Sequence, residues 1–191
     1  MRLNFKPKFD KIVELLLYMA EVRPNADHYQ AVKFLYLADR EHLNRYGRPI
    51  TFETYYALPY GPVATHALNM LKGDRHALHE AGIDKLPIKL KKLDKVIYLQ
   101  APEREVNYDV FSKSDLKVFN EIIKKFGSKS FGQLFDITHS HLAYKNAWQR
   151  RGSSKSVPMR YEDMLSGRHI SAAGFVKEDV VADLEVVASH M

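Results

Sequence analysis

Asp39 is the acidic residue whose setting could support chemistry, because it lies in a segment of mostly apolar residues. At about 100° per residue it shares one stripe of a helix with Val32, Leu35 and Leu43. An ionised carboxylate among such neighbours is costly unless it is paired, and similar burial tunes the general bases of enzymes. We predict a structural ion pair inside a helical core, with His42 one turn along as a local partner. General-base catalysis is the alternative.

Pairs of histidines occur twice with the spacing of metal ligands. His76 and His79 lie in the sequence HALHE, which we interpret as a polar surface turn because the protease spacing HExxH is absent. For His139 and His141, a bond to the backbone or to a buried carboxylate such as Asp39 is the simpler interpretation. We therefore predict neither a metal site nor a cofactor. A metal-dependent hydrolase that uses His139 and His141 is the alternative.

The densest basic patch lies on a predicted β-hairpin between Leu86 and Gln100, where apolar residues alternate with lysines. Lysines of this kind ordinarily protect an exposed strand edge. A binding surface for an acidic partner is the sharper interpretation, and Lys89 and Lys91 are its candidate residues. The patch as a whole contains Lys85, Lys89, Lys91, Lys92 and Lys95.

The composition is that of one globular domain with a sizeable core: 191 residues, of which 46% are hydrophobic and 27% are charged. The absence of cysteine excludes disulfides and thiolate chemistry. No run of about 18 apolar residues is present, so we expect a cytoplasmic protein without a membrane partner. The net charge of +6 makes nucleic acid a candidate partner. Because the charges are mixed, we do not expect nucleic acid to be the partner. A nucleic-acid-binding protein that uses the basic hairpin face is the alternative.

The helix that carries the unusual carboxylate is predicted to be the centre of the fold. Asp27, with Gln30 three residues later, forms a capping-box pattern, so this helix should run from about residue 28 to about residue 46. Apolar residues cover most of its circumference, which is typical of a buried helix. Lys33 and Arg40 form a basic stripe along it.

The fold class follows from the patterns around this helix. A strand is predicted at residues 51–58, then a turn at Gly61 and a new helix that begins at Pro62. Alternating residues predict the two hairpin strands at residues 86–91 and 95–100. We predict a mainly α (α+β) protein, in which a compact helical domain surrounds the buried central helix and carries a small antiparallel β-element.

A change of composition at Arg150–Pro158, RRGSSKSVP, suggests a connector. It divides the chain into a domain at residues 1–150 and a linker with a C-terminal helical extension at residues 151–191. The extension contains a predicted amphipathic helix at residues 177–188. Further amphipathic helices, the last two with capping boxes, are predicted at residues 9–20, 113–126 and 131–139.

Two stretches of the sequence carry a resemblance to a known family. KFLYLADREHLNRYGRPI, followed after a short spacer by ALPYGPV, is the first, and LFDITHSHLAYKNAW is the second. Together they resemble the Panacea (SocA-like) antitoxin domain family, formerly a phage-associated domain of unknown function, over about residues 8–150. The matching positions are Lys33, Tyr36, Asp39, Tyr60, Gly61, Pro62, His139 and Trp148.

The resemblance implies an antitoxin of a bacterial or phage toxin–antitoxin system, which neutralises a cognate toxin by direct binding. It also implies that a AAA+ protease could be a second partner, since a family member acts as a proteolytic adaptor. No catalytic constellation is evident in the sequence, so we predict that the protein is not an enzyme. The matching positions, together with Arg40, Lys89 and Lys91, are the candidate partner-binding residues.

Overall fold

The computed structural model describes residues 5–165, which form seven α-helices and six short strands. In chain order they are α1 (Phe9–Val22), β1 (Ala26–Asp27), α2 (His28–Tyr46), β2 (Tyr55–Leu58), β3 (Gly61–Ala64), α3 (Thr65–Leu71), α4 (Arg75–Glu80), β4 (Ile88–Leu93), β5 (Val96–Pro102), α5 (Lys113–Phe126), α6 (Phe131–Ser140), α7 (Leu142–Gln149) and β6 (Val157–Pro158). The predicted α+β class, mainly helical with a small antiparallel component, is confirmed.

Helix α2 is the buried centre of the fold, as the sequence predicts. The Asp27 side chain accepts a hydrogen bond from the Gln30 N–H at 2.8 Å, which completes the capping box at its start. Gly47 ends the helix in the left-handed conformation, with φ of 73°. Every residue from Ala31 to Asp39 is buried, so this part of the helix is enclosed on all sides. Helix α5 packs against α2, and α1 packs against β5.

Two antiparallel three-stranded sheets flank the helices. One has the order β1-β5-β4 and contains the predicted hairpin, whose strands start and end about two residues later than expected. The other has the order β3-β2-β6. Strand β2 begins at Tyr55 rather than at residue 51, because Phe52 has a positive φ of 54° that interrupts extended backbone.

The helix predicted to begin at Pro62 is wrong in its start. Gly61 has a φ of 98°, so the chain reverses its direction there. Pro62 therefore lies in strand β3, where it pairs with Ala57 of β2. A proline is tolerated there because β3 is an edge strand and needs no further N–H donor. Helix α3 starts three residues later, at Thr65.

After α7 the chain returns to the domain. Strand β6 pairs with β2, and the hydroxyl of buried Tyr161 donates to the Glu53 carbonyl oxygen at 2.7 Å. The boundary at residue 150 stays a prediction, and the helix predicted at residues 177–188 lies outside the described residues. No helix within residues 5–165 has the length and apolar character needed to cross a membrane.

Candidate functional site

The turn between β2 and β3 is built over a buried lysine. Lys33 is 3% exposed, and its Nζ donates to the carbonyl oxygens of Tyr60 and Pro62 at 2.7 and 2.8 Å. Burial lowers the pKa of Lys33 to about 7. The predicted basic stripe is therefore wrong at this position, because the lysine reaches into the turn instead of into solvent. A desolvated amine is costly, so two good acceptors are needed to hold it.

Two further side chains hold the same turn from α6 and α7. His139 Nε2 lies 3.2 Å from the carbonyl oxygen of Pro59, and its Nδ1 lies 2.7 Å from that of Phe135. The Tyr144 hydroxyl donates to the carbonyl oxygen of Leu58 at 3.0 Å. Three carbonyl groups of this five-residue turn accept hydrogen bonds from Lys33 and Tyr144, and the His139 ring lies against a fourth, which restricts the backbone. We call residues 58–62 with these contacts the braced turn.

Gly61 is required at the centre of the braced turn. Its φ of 98° is unfavourable for any residue with a Cβ. A Cβ at this position would also lie 2.8 Å from Lys33 Nζ and 3.0 Å from Thr138 Oγ1. Both the conformation and the close approach of the lysine therefore exclude larger residues.

The braced turn presents an aromatic surface to solvent. Tyr60 at its tip is 60% exposed, and its ring lies edge-on to that of Phe131, which is 44% exposed, with centroids 6.1 Å apart. A row of rings continues from there along α6 and α7. Successive centroids are 6.3, 3.6, 4.2 and 5.8 Å apart along Phe131, Phe135, His139, Tyr144 and Trp148. We call Tyr60 with these five residues the aromatic ridge.

Trp148, at the far end of the ridge, is half-buried. Its indole stacks on Tyr144, and the Arg151 guanidinium lies 4.5 Å from its ring centroid. The residue is therefore only partly enclosed. Trp148 ends the line of rings, and the buried ring of Tyr144, which is 4% exposed, separates it from the exposed rings of Tyr60 and Phe131.

Tyr36 and Arg40 both lie close to His141, the residue that precedes α7. Tyr36 is fully buried, and its hydroxyl lies 3.2 Å from His141 Nδ1. Burial, with the charge of Arg40 as a smaller cause, lowers the pKa of His141 to about 4, so this ring is neutral near pH 7. Arg40 is half-buried, in the same shallow cavity as His141.

Asp39 is buried, and it forms no ion pair with any residue in the range 5–165. Its two oxygens accept hydrogen bonds from the N–H groups of Ile50 and Thr51, at 2.9 Å each, and from the hydroxyls of Thr51 and Tyr55. Burial raises the pKa of Asp39, and these hydrogen bonds oppose the rise. The predicted ion pair with His42 is wrong, because main-chain and hydroxyl donors surround the carboxylate. It anchors the segment that leads into β2.

His42 instead joins a second buried carboxylate, Asp115. Its Nε2 lies 3.1 Å from Asp115 Oδ1, while Lys11 Nζ and Arg48 Nη2 approach the same carboxylate at 2.6 and 2.8 Å. Although burial alone would raise the pKa of Asp115, the hydrogen bonds from His42 and Lys11 and the charge of Arg48 hold it well below its usual range. Asp115 also completes the capping box that the sequence predicts for the helix at residues 113–126, which is confirmed. The sequence gives no indication that Lys11, His42 and Arg48 approach this carboxylate.

A third buried carboxylate, Glu53, ties the start of α3 to β2. It accepts hydrogen bonds from the N–H of Ala67 at 3.0 Å and from His66 Nδ1 at 2.5 Å. The hydrogen bond to Glu53 raises the pKa of His66 above its ordinary value, against the effect of burial. Sequence reasoning missed this contact, because neither residue belongs to a recognisable motif.

The histidine pairs do not converge on a common ligand. His76 forms an ion pair with Glu80 at 3.3 Å, and His139 and His141 bind different partners in the braced turn and α2. In residues 5–165 no group of three His, Asp or Glu side chains could hold a metal ion. The hydrolase alternative has no support from the described residues.

A family model, described as Antitoxin SocA-like, Panacea domain, matches residues 32–149. The match contains the braced turn, the aromatic ridge and most of α2. No curated protein and no solved structure matches the chain. The matched region covers more than half of the sequence, and the chain therefore belongs to the SocA-like antitoxin, Panacea domain family.

Proposed function

We propose that this protein is an antitoxin that neutralises a cognate toxin by direct binding, and that the aromatic ridge is the surface that holds the toxin. The braced turn carries the proposal. Internal donors bind its carbonyl groups, while the ring of Tyr60 is left in solvent. Such an arrangement uses buried polar groups to position one exposed aromatic residue.

Rigidity of the ridge supports binding energetically. Association costs free energy whenever side chains and loops become ordered, and a surface that is ordered beforehand avoids that cost. Tyr and Trp are also the residue types most enriched among those that dominate binding energy. Tyr60 at one end of the ridge and Trp148 at the other fit this description. Family membership supports the choice of a toxin as the partner.

Co-expression with the neighbouring gene tests the proposal. A cell that expresses the neighbouring gene alone should stop growing, and this protein should restore growth. The variant Tyr60→Ala should lose the rescue, because the exposed ring contributes little to the fold. Tyr108→Ala is the matched control, since Tyr108 is 45% exposed and lies outside the ridge. Equal rescue by both variants would remove the ridge from the mechanism, and a harmless neighbouring gene would remove the function.

Delivery of the toxin to a AAA+ protease, which the family resemblance implies, predicts a different result. Masking leaves the toxin intact in a stable complex, whereas delivery shortens its lifetime. Following the toxin by immunoblot after synthesis is stopped separates the two, with a protease-deficient strain as the control. We propose masking, because a preformed surface needs no further component to block a toxin.

A further inference from the structure

A second surface feature, separate from the braced turn, is an open groove of about 820 Å³. It lies between the β4–β5 hairpin, helices α3 and α4, and the first turn of α2. Its floor is apolar and includes Leu71, Leu78, Ile88, Leu90 and Ile97. This volume is in the range of sites that bind ligands in proteins.

The rim of the groove is basic. Lys72, Lys85, Lys92 and Lys95 line it, with Asp94 as the single acidic residue among the described residues that do. Lys85 is paired with Glu103 at 2.8 Å. Within residues 5–165, no carboxylate lies at ion-pair distance from Lys72, Lys92 or Lys95. The rim therefore keeps a positive charge that this part of the chain does not neutralise.

The strand geometry separates these lysines from the two that the sequence singles out. Ile88, Leu90 and Lys92 alternate along β4 and line the groove. Lys89 and Lys91 lie between them on the same strand and do not line it. The hairpin therefore has lysines both inside and outside the groove.

We propose that the groove binds a peptide segment of a partner protein in which acidic and apolar side chains alternate. The apolar floor accepts the apolar side chains, and the rim lysines accept the carboxylates. The groove is open along a rim of exposed residues, which suits a chain that enters and leaves better than a small molecule that must be enclosed. Single-stranded nucleic acid would need stacking platforms, and among residues 5–165 only Tyr29 and His28 contribute rings to the lining.

The groove lies beside the aromatic ridge. The ring centroid of Tyr29, which lines the groove, is 5.4 Å from that of Phe131, which in turn contacts Tyr60. A partner bound at the ridge can thus extend a segment into the groove. Assigning the segment to the toxin rests on the proposed function, whereas peptide binding itself does not.

A synthetic peptide tests the groove without any toxin. The probe is a fluorescein-labelled 12-residue peptide of alternating glutamate and leucine, titrated with the full chain and followed by fluorescence anisotropy. The double variant Lys92→Glu/Lys95→Glu should weaken binding by about tenfold or more, because carboxylates of the peptide meet like charges. Lys89→Glu/Lys91→Glu makes the same change of net charge on the same hairpin and should weaken binding by less than about threefold in 0.15 M salt, where distant charges are screened.

The apolar floor has its own matched pair. Leu90→Ser should weaken binding of the peptide, and Leu93→Ser, which changes an exposed leucine of the same strand outside the groove, should not. Far-UV circular dichroism melts verify that all four variants fold.

Three results would overturn the proposal. The first is an equal loss of affinity in the two double lysine variants. The second is a peptide with serine in place of leucine that binds as tightly as the original peptide. The third is a 12-nucleotide single-stranded DNA that binds more tightly than the peptide. If Tyr60→Ala still restores growth while the peptide binds normally, the ridge is removed from the mechanism and the groove stays. If Tyr60→Ala loses the rescue but the peptide does not bind, only the groove is removed.

Discussion

Lys33 and Asp115 are both charged groups taken out of water, but their surroundings differ. Asp115 is met by Lys11, His42 and Arg48, and its pKa is held well below the usual range despite its burial. Lys33 is met by two carbonyl groups, and burial lowers its pKa to about 7. The first site compensates a buried charge with opposite charges and stabilises the fold. The second site has no opposite charge at ion-pair distance among residues 5–165, and its hydrogen bonds to carbonyl oxygens position a surface turn.

The largest effect should come from removing the charge at the compensated site. Asp115→Asn leaves three cationic or protonatable groups without their anion, and breaking a buried pair in this way costs about 3 to 5 kcal/mol. Urea denaturation measures the loss. Asp136→Asn, an exposed position on α6, is the control and should change stability by less than about 0.5 kcal/mol. A loss below about 1 kcal/mol at Asp115 would mean that the cluster is a surface feature in energetic terms.

A smaller loss of stability should follow when a methyl group is added beside Lys33, at Gly61. Gly61→Ala should destabilise the protein by about 2 to 3 kcal/mol, because a strained φ and contact with Lys33 add together. Gly82→Ala separates the two causes, since Gly82 has a φ of 70° and an added Cβ there would meet no described atom within 4 Å. It should cost about 1 kcal/mol. Equal losses of stability in Gly61→Ala and Gly82→Ala would show that Lys33 moves away from the added methyl group at no cost in free energy.

The pH dependence of stability tests whether Lys33 is really uncompensated. Its folded pKa of about 7 lies below its unfolded value of 10.5, so the unfolded state binds more protons between these limits. The contribution of Lys33 should therefore make the protein more stable as pH rises from 7 to about 9, by on the order of 1 kcal/mol per pH unit. Lys33→Met should remove this slope. Urea midpoints at both pH values, compared with the exposed-site variant Lys89→Met, make the measurement.

The smallest effect should come from His66, which is partly exposed. Its folded pKa is raised above 6.5, so its stabilising contact with Glu53 is fully present below that pH and is lost as pH rises through the folded pKa. His66→Gln should therefore cost about 1 kcal/mol at pH 6 and less at pH 8. The unaltered protein, measured at the same two pH values, is the reference for this difference. A loss that grows with pH would contradict the assigned direction.

Local features of the fold could be predicted from the sequence. The capping boxes at Asp27, Ser112 and Ser130 all form, because each depends on residues three positions apart. The hairpin and the buried α2 follow from short-range periodicity. Such signals are read within one element, and the structure agrees with them.

The partners of the buried polar groups could not be predicted. Lys33 meets carbonyl groups 27 and 29 positions away, and Lys11 meets Asp115 at a separation of 104 positions. Periodicity identifies which face of a helix is apolar, but it does not say which distant group lies opposite. Asp39 illustrates the limit: its burial follows from its neighbours, whereas its donors come from the Ile50–Thr51 backbone and Tyr55.

The pairing of β6 with β2 bears on how the protein can be shortened. The family match stops at residue 149, yet Val157 and Pro158 cover the open side of β2 and Tyr161 fills the space behind it. A fragment that ends at residue 149 would expose the unpaired backbone groups of β2 at a strand edge, and such edges promote self-association. A portable unit for grafting onto other proteins therefore needs at least the residues up to Tyr161.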